Sequence, residues 1–210
     1  MKKLIIIPAY NESANIEKTI KMIQENAPEF DYVIINDCST DDTKKICEKN
    51  GYNYIDLPIN LGIGGAVQTG YRYGHEEGYE MAVQVDGDGQ HDPKFLATMA
   101  DYLKEHGLDM VIGSRFINKE GFQSSGARRM GIKYFTVLIR DVMNIFAYDY
   151  PKDYPEPESV VAILRQKKNV EEIPVIMKAR EGGVSSISPK KSVYYMIKVT
   201  LAILIERIRK

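Results

Sequence analysis

Short apolar runs alternate with segments of helical periodicity through the first half of the chain. The apolar runs predict strands at 4–7, 32–35, 52–57, 81–85 and 110–112. The periodic segments between them predict helices at 13–26, 42–50, 63–77 and 93–106. This alternation indicates a doubly wound, mostly parallel α/β sheet. Such sheets bind their ligands beyond the carboxyl ends of the strands.

The second half of the chain is less regular. Residues 113–129 are rich in glycine and serine and predict a loop, whereas 130–148 has mixed helical character. A proline-rich break at 150–158 is followed by a predicted helix at 159–168 and a predicted strand at 170–177.

Two carboxylates follow directly after the predicted fourth strand, in the sequence Asp86-Gly-Asp88-Gly-Gln90. Alternate residues of an extended chain point the same way, and a glycine-rich turn can bring both carboxylates towards one point. Carboxylate and amide oxygens suit Mg²⁺ or Mn²⁺ bound together with a diphosphate. An Asp-Gly turn without a ligand is the simpler alternative, and the position at a strand end favours the metal site.

Polar residues also follow the first two strands. The loop after the first strand contains no glycine, which counts against a dinucleotide-binding fold. Asp37 ends the second strand and could accept hydrogen bonds from a nucleobase, whereas residues 39–41 favour turn and capping roles. His91 stands beside Asp92 and Pro93 at the start of a predicted helix, so capping or packing is favoured over metal ligation.

Composition and charge exclude several classes of protein. The 210 residues are 44% hydrophobic and 27% charged, as in ordinary globular proteins. The net charge is −1, but residues 190–210 carry six basic side chains and one acidic side chain, so the rest of the chain is acidic. An acidic body with a basic tail argues against nucleic-acid binding and is compatible with contact to an anionic membrane surface.

The remaining composition bears on location. Cys38 and Cys47 do not make a disulfide framework, which favours a reducing, cytoplasmic environment. The apolar run before Pro8 is too short for a signal peptide, and no stretch approaches the roughly 20 apolar residues that span a bilayer. We expect one α/β domain over residues 1–188 and a C-terminal amphipathic helix over 189–210 that lies on a membrane surface or packs on the domain or a partner.

Five stretches resemble the family 2 glycosyltransferases, and among them the branch of dolichol- and polyprenyl-phosphate sugar transferases. They are IPAYNE (7–12), INDCSTD (35–41), NLGIGGA (60–66), DGDGQHDP (86–93) and IGSRF (112–116). The resemblance covers about residues 4–135 and implies a GT-A fold. In that fold a Rossmann-like, mostly parallel α/β sheet with flanking helices binds a nucleotide-sugar and holds a metal at an Asp-x-Asp motif.

The resemblance implies roles for individual residues on the nucleotide side. Pro8, Tyr10 and Glu12 would line the nucleoside pocket, and Asp37 would contact the base. Asp86 would contribute to the nucleotide site and to the metal.

The resemblance also implies which residues hold the metal and the phosphates. Asp86, Asp88 and Gln90 would bind Mg²⁺ or Mn²⁺ together with the diphosphate. The residues implied to act in catalysis are Asp88, Arg115 and one of Arg128 or Arg129. A divalent ion and guanidinium groups stabilise the charge that develops on a departing nucleoside diphosphate.

The sequence departs from the family pattern at three places. Asn36 replaces one of the two acids often found after the second strand, and Ile63 stands where a basic residue is common. The largest departure lies between Ile139 and Arg140, where relatives carry a further segment that they use near the sugar and the acceptor.

The resemblance implies a metal-dependent, inverting glycosyltransferase. It would transfer a hexose from a nucleoside-diphosphate sugar to a polyprenyl (dolichol-type) phosphate at the cytoplasmic face of the membrane. The enzyme would be peripheral at the inner face, and a membrane-protein partner would supply the anchor that relatives often carry as transmembrane helices.

Two alternatives stay open at the level of the sequence. The acceptor could be a growing polysaccharide, although that reaction needs a base to deprotonate a hydroxyl group. The chain could instead be a catalytically impaired nucleotide-sugar-binding module, because the segment between Ile139 and Arg140 is absent.

Overall fold

The computed structural model describes residues 1–87, 91–114, 117, 135–151 and 155–176. Seven strands form one sheet: β1 (Lys3–Ala9), β2 (Asp31–Asn36), β3 (Tyr54–Asp56), β4 (Met81–Gln84), β5 (Met110–Ser114), β6 (Phe135–Ile139) and β7 (Val170–Pro174). Six helices accompany them: α1 (Ile16–Asn26), α2 (Thr43–Asn50), α3 (Gly62–Glu76), α4 (Lys94–Glu105), α5 (Arg140–Tyr148) and α6 (Pro155–Arg165). The predicted helix at 189–210 lies outside the described residues.

The sheet has the order β3-β2-β1-β4-β6-β5-β7 and is mostly parallel. Strand β1 pairs in parallel with β2 and β4, and β5 pairs in parallel with β7. Only one of the described strands, β6, runs antiparallel to its neighbours β4 and β5. This arrangement confirms the predicted α/β sheet with flanking helices.

The helical prediction for residues 130–148 is wrong over Phe135–Ile139, which form β6. A run of five apolar or β-branched residues does not distinguish a strand from a buried helix by its periodicity. Its position between β4 and β5 decides the outcome, because Val137 and Leu138 are then buried on opposite faces of the sheet. The helix begins only at Arg140.

Helices cover both faces of the sheet, as a largely parallel sheet requires. Apolar residues of α1 and α4 pack on one face, and those of α3 and α5 pack on the other. Helix α3 is rich in glycine because it lies very close to β1: a Cβ atom at Gly70 would clash with the side chain of Ile6. None of the helices in the described ranges combines the length and the apolar character needed to cross a bilayer.

The topology brings three loops to the same edge of the sheet. Strands β2, β1 and β4 are neighbours and run in the same direction, so their carboxyl ends lie side by side. The end of β6 lies at the opposite edge, because Ile139 pairs with Met81 at the start of β4. The junction between Ile139 and Arg140 is therefore at the edge of the sheet opposite to these three loops.

Candidate functional site

The loops after β1, β2 and β4 pack against one another at the carboxyl edge of the sheet. The Asp37 amide donates to the Ala9 carbonyl at 2.9 Å, which joins the first two loops where they leave their strands. The third loop approaches so closely that a Cβ atom at Gly87 would lie 3.3 Å from the Pro8 carbonyl oxygen and 3.5 Å from Cγ of Glu12. The three predicted ligand-binding stretches are therefore neighbours in space.

Asn11 connects the first loop to the second. Its backbone is in the left-handed region, with φ of 56°, which asparagine tolerates better than most residues. Its Oδ1 accepts the amide protons of Thr40 at 2.8 Å and of Asp41 at 3.3 Å, and its own amide donates to Oγ of Ser39 at 3.0 Å. These bonds run in both directions between the loops.

Asp41 adds a second set of bonds between the same loops. Its Oδ2 accepts the Ser13 amide proton and its Oδ1 accepts the Thr43 amide proton, both at 3.0 Å, while the Glu12 amide donates to Oγ1 of Thr43 at 2.9 Å. Burial alone would raise the pKa of Asp41, but the hydrogen bonds from Thr43 and Ser13 outweigh it and lower the pKa.

We call Asn11, Ser39, Asp41 and Thr43 the interloop clasp. It fixes the backbone on either side of Tyr10 and Glu12, the residues predicted to line a nucleoside pocket. The sequence assigned residues 39–41 to turns and caps, and it did not reveal that they also hold the first loop.

The predicted nucleoside-pocket residues lie together, with different exposure. Pro8 is buried in β1, whereas the side chain of Tyr10 is 49% exposed and open to a ligand. Glu12 is half-buried, and its Oε2 accepts a hydrogen bond from Nδ2 of Asn15 at 2.8 Å. The structure thus offers one exposed ring and one partly exposed carboxylate beside Asp37.

Asp37 follows β2, is only 3% exposed, and its side chain contacts the start of α3. Its Oδ1 accepts the Leu61 amide proton at 2.7 Å, and its carbonyl accepts Nδ2 of Asn60 at 3.1 Å. Burial raises the pKa of Asp37, and the amide groups of Leu61 and Gly62 offset part of that rise. A carboxylate is favourable at a helix N-terminus, so Asp37 also holds α3 in place. Its contact with a base stays a prediction.

Asp86 lies two residues after β4 and is 9% exposed. Its Oδ1 accepts a hydrogen bond from Nε2 of Gln84 at 3.2 Å, and its amide donates to Nδ1 of His91 at 3.1 Å. His91 is 2% exposed, so the packing role favoured by the sequence agrees with its surroundings. The next residue is also held, because Oγ1 of Thr19 donates to the Gly87 carbonyl at 3.0 Å.

The Asp86 carboxylate has the chemistry that a divalent cation requires, since it is a hard oxygen donor at a strand end. Its predicted co-ligands Asp88 and Gln90 follow within four residues of sequence but lie outside the described residues. Within the described ranges, no group of three or more histidine, cysteine or acidic side chains is arranged to hold a metal. The metal site stays a prediction that the position of Asp86 fits.

The predicted phosphate-binding arginines, Arg115, Arg128 and Arg129, also lie outside the described residues. Strand β5 ends at Ser114, so Arg115 follows in sequence a strand that is parallel to β7 and antiparallel to β6.

Two surface cavities lie away from these loops. One of about 550 Å³ is lined by residues that include Lys2, Asp31 and Tyr79, and one of about 470 Å³ is lined by residues that include Met81 and Ile139. Lys2, Asp31 and Met81 lie at the amino ends of β1, β2 and β4. Ligands of open α/β sheets bind at the opposite edge, so we place the candidate site at the loops rather than in either cavity.

Comparison with known proteins finds several relatives that are named as polyprenyl-phosphate sugar transferases. The chain is 33% identical over 120 residues to the undecaprenyl-phosphate mannosyltransferase of Micrococcus luteus, a match that covers 55% of this chain and 49% of that protein. It is 24% identical to the polyprenol monophosphomannose synthase of Mycolicibacterium smegmatis, over 94% of this chain and 85% of that protein. The first match thus spans about half the length of the relative.

Solved structures share the fold. The mannosyltransferase of Pyrobaculum calidifontis, solved in complex with GDP-Man and Mn²⁺, superposes with a TM-score of 0.74 at 15% identity, over 100% of this chain and 64% of that chain. The sequence model described as glycosyl transferase family 2 matches residues 4–153, a region that contains the interloop clasp, Asp37 and Asp86. The chain therefore belongs to glycosyl transferase family 2.

Proposed function

We propose that this protein is a glycosyltransferase that transfers a hexose from a nucleoside-diphosphate sugar to a polyprenyl phosphate. The observation that carries the proposal is the meeting of Tyr10, Glu12, Asp37 and Asp86 at one edge of the sheet, in a member of family 2. Two relatives, named as an undecaprenyl-phosphate mannosyltransferase and a polyprenol monophosphomannose synthase, support a lipid-phosphate acceptor.

The donor half of the proposal follows from the loops. The ring of Tyr10 and the carboxylate of Glu12 would contact the nucleoside, and the nearly buried Asp37 would accept hydrogen bonds from its base. Asp86, with Asp88 and Gln90, would hold Mg²⁺ or Mn²⁺ beside the diphosphate. The bound ion would supply charge stabilisation for the departing nucleoside diphosphate, and Arg115 with Arg128 or Arg129 would contact phosphate oxygens.

The reaction is a single displacement at the anomeric carbon. An ionised oxygen of the acceptor phosphate forms the new C–O bond while the bond to the nucleoside diphosphate breaks, so the configuration inverts. An acceptor that is already ionised needs no proton removed by the protein, unlike a sugar hydroxyl. We place the reaction at the cytoplasmic membrane surface, where the basic residues of 190–210 would meet anionic headgroups.

A transfer assay tests this function. The full chain is incubated with Mn²⁺, vesicles that contain polyprenyl phosphate, and labelled GDP-mannose, UDP-glucose or UDP-N-acetylglucosamine in separate reactions. We expect label to enter the chloroform-extractable lipid with one donor, and Asp88→Ala to abolish the transfer. Label found only in water-soluble polymer would contradict the lipid acceptor, and undiminished transfer by Asp88→Ala would contradict the metal site.

The direct junction of β6 and α5 favours a second candidate function, nucleotide-sugar binding without transfer. Strand β6 ends at Ile139 and α5 begins at Arg140, so no residue connects them. The alignment with the Mycolicibacterium smegmatis relative extends over 227 positions, more than the 210 residues of this chain, so that relative contains residues without a counterpart here. Metal-dependent donor binding with neither transfer nor donor hydrolysis would support this second function.

A further inference from the structure

Thr19 reaches the Asp86–Gly87 turn from a different part of the fold. It lies in α1, 68 residues before Gly87, and its side chain is 1% exposed. Its Oγ1 donates a buried hydrogen bond of 3.0 Å to the Gly87 carbonyl, which stands between the two carboxylates of the Asp-Gly-Asp motif. No sequence motif pointed to this residue.

The position of Thr19 on its helix is unusual for a polar residue. The rest of the buried face of α1 consists of Ile16, Ile20 and Ile23. A hydroxyl group buried on such a face is costly unless it is hydrogen-bonded, and threonine in a helix can satisfy itself by bonding to a carbonyl of the preceding turn. Here the hydroxyl donates to another segment of the chain, so it connects α1 to the loop after β4.

A second contact holds the same turn at Asp86. The Asp86 amide donates to Nδ1 of His91, and His91 is itself nearly buried. The peptide segment from the amide of Asp86 to the carbonyl of Gly87 therefore has a partner at each end. These two bonds restrict the backbone rotations that set where the Asp86 carboxylate points.

Helix α1 also starts from the nucleoside side of the site. The amides of Asn15 and Ile16 both donate to the Glu12 carbonyl at 2.9 Å. One rigid helix thus contacts the loop that carries Glu12 at its first turn and the loop that carries Asp86 through Thr19.

We propose that Thr19 is a positioning residue that orients Asp86 and Gly87 for a divalent cation and thereby sets the affinity of the Asp86 site for that cation. The inference rests on the proposed function, because it presupposes a metal at Asp86. Residues that orient metal ligands typically change metal affinity about 10–100-fold when they are replaced.

Three substitutions of Thr19 and one control test the proposal. Thr19→Val and Thr19→Ala remove the hydroxyl group, the first with little change of shape, whereas Thr19→Ser keeps it. Ile20→Val is the matched control, since it removes one methylene from the same buried face without touching Gly87. Binding of Mn²⁺ to the full chain is followed by electron paramagnetic resonance in the presence of GDP and, separately, of UDP.

We expect Thr19→Val and Thr19→Ala to weaken Mn²⁺ binding about 10–100-fold, and Thr19→Ser to bind as the wild type does. Ile20→Val should lower the melting temperature and leave Mn²⁺ affinity unchanged. If the folded variants among Thr19→Val and Thr19→Ala bind Mn²⁺ as the wild type does, Thr19 does not position the site. An equal loss of Mn²⁺ affinity in Ile20→Val would also overturn the role of Thr19. Neither result would contradict the metal site itself. A wild-type protein that binds no Mn²⁺ with either nucleotide would overturn the proposed metal site as well.

Discussion

Two regions of the molecule are stabilised by different interactions: the loops that follow β1 and β2, and the contact between α3 and α5. On the side of β1 and β2, side chains of the interloop clasp hydrogen-bond to backbone groups of the neighbouring loop. Where α3 packs against α5, the rings of Tyr71, Phe146 and Tyr150 lie together with centroid separations of 5.0–5.4 Å. Polar loops that bind a ligand cannot be fixed by burial, so hydrogen bonds fix them instead, while apolar packing stabilises the domain.

The largest expected effect is a loss of stability when the ring cluster between α3 and α5 is disrupted. Phe146→Ala removes one buried ring of the Tyr71–Phe146–Tyr150 cluster, and we expect a loss of about 3–5 kcal/mol in the free energy of unfolding. Urea denaturation measures this loss. Nucleotide affinity of the variant, measured where it remains folded, should not change.

The control for this variant is Tyr148→Ala in the same helix. The side chain of Tyr148 is well exposed and meets the His75 ring edge-on at 6.0 Å, so its removal should change the free energy of unfolding by no more than about 1 kcal/mol. Equal destabilisation by the two variants would contradict the assignment of stability to the buried cluster.

A smaller loss of stability is expected when the interloop clasp is disrupted. Asp41→Ala removes the acceptor of the Ser13 and Thr43 amides, and we expect a loss of about 1–2 kcal/mol in the free energy of unfolding together with weaker nucleotide binding. Asp42→Ala is the control, because the Asp42 side chain makes only an exposed ion pair with Lys45 among its contacts in the described structure and does not cap α2. Nucleotide binding that is weakened in Asp42→Ala and unchanged in Asp41→Ala would contradict the role of the interloop clasp.

The contribution of Asp41 should depend on pH in a definite direction. The pKa of Asp41 is lower in the folded protein than its unfolded value of about 3.9. Its stabilising contribution is therefore full above that value and is lost as the pH falls through the folded pKa. The difference in unfolding free energy between the wild type and Asp41→Ala should shrink between neutral pH and about pH 3. A difference that stays constant would show that the ionised carboxylate is not what joins the loops.

How far the sequence predicted the fold depends on the element. The runs that became β1, β2, β4 and β5 are apolar and bounded by polar turns, so their strands were predictable. Strand β6 was not, because its short apolar run fits a helix equally well and only its place between β4 and β5 decides. The glycines of α3 weakened its prediction, although they reflect close packing on β1.

The candidate site divides in a similar way. The rule that ligands bind at the carboxyl ends of parallel strands was enough to select Asp37 and Asp86, whereas Tyr10 was selected through the resemblance to family 2. The contacts of Asn11 and Thr19 could not be predicted, because their hydrogen-bond partners lie 28–30 and 68 residues away along the chain. The one available signal for Thr19 was a polar residue on an otherwise apolar helix face.

The smallest expected effect is a change in the rate at which the two cysteines react with a thiol reagent. Cys38 is partly exposed beside Asp37, whereas Cys47 is buried and burial raises its pKa to about 11. We expect N-ethylmaleimide to modify Cys38 well before Cys47, and GDP or UDP with Mn²⁺ to slow that modification. Mass spectrometry of peptides measures both rates, with Cys38→Ser as the control. Protection of neither cysteine would place the nucleotide elsewhere.

The central claim is that a nucleotide binds at the carboxyl edge of β1, β2 and β4 together with a metal held by Asp86. Isothermal titration of GDP and of UDP, with and without Mn²⁺, tests it most directly on the wild type, on Asp86→Asn and on the distant control Asp141→Asn. We predict binding of one nucleotide that requires Mn²⁺, is lost in Asp86→Asn and is retained in Asp141→Asn. Binding that is equal in Asp86→Asn and the wild type would contradict the claim.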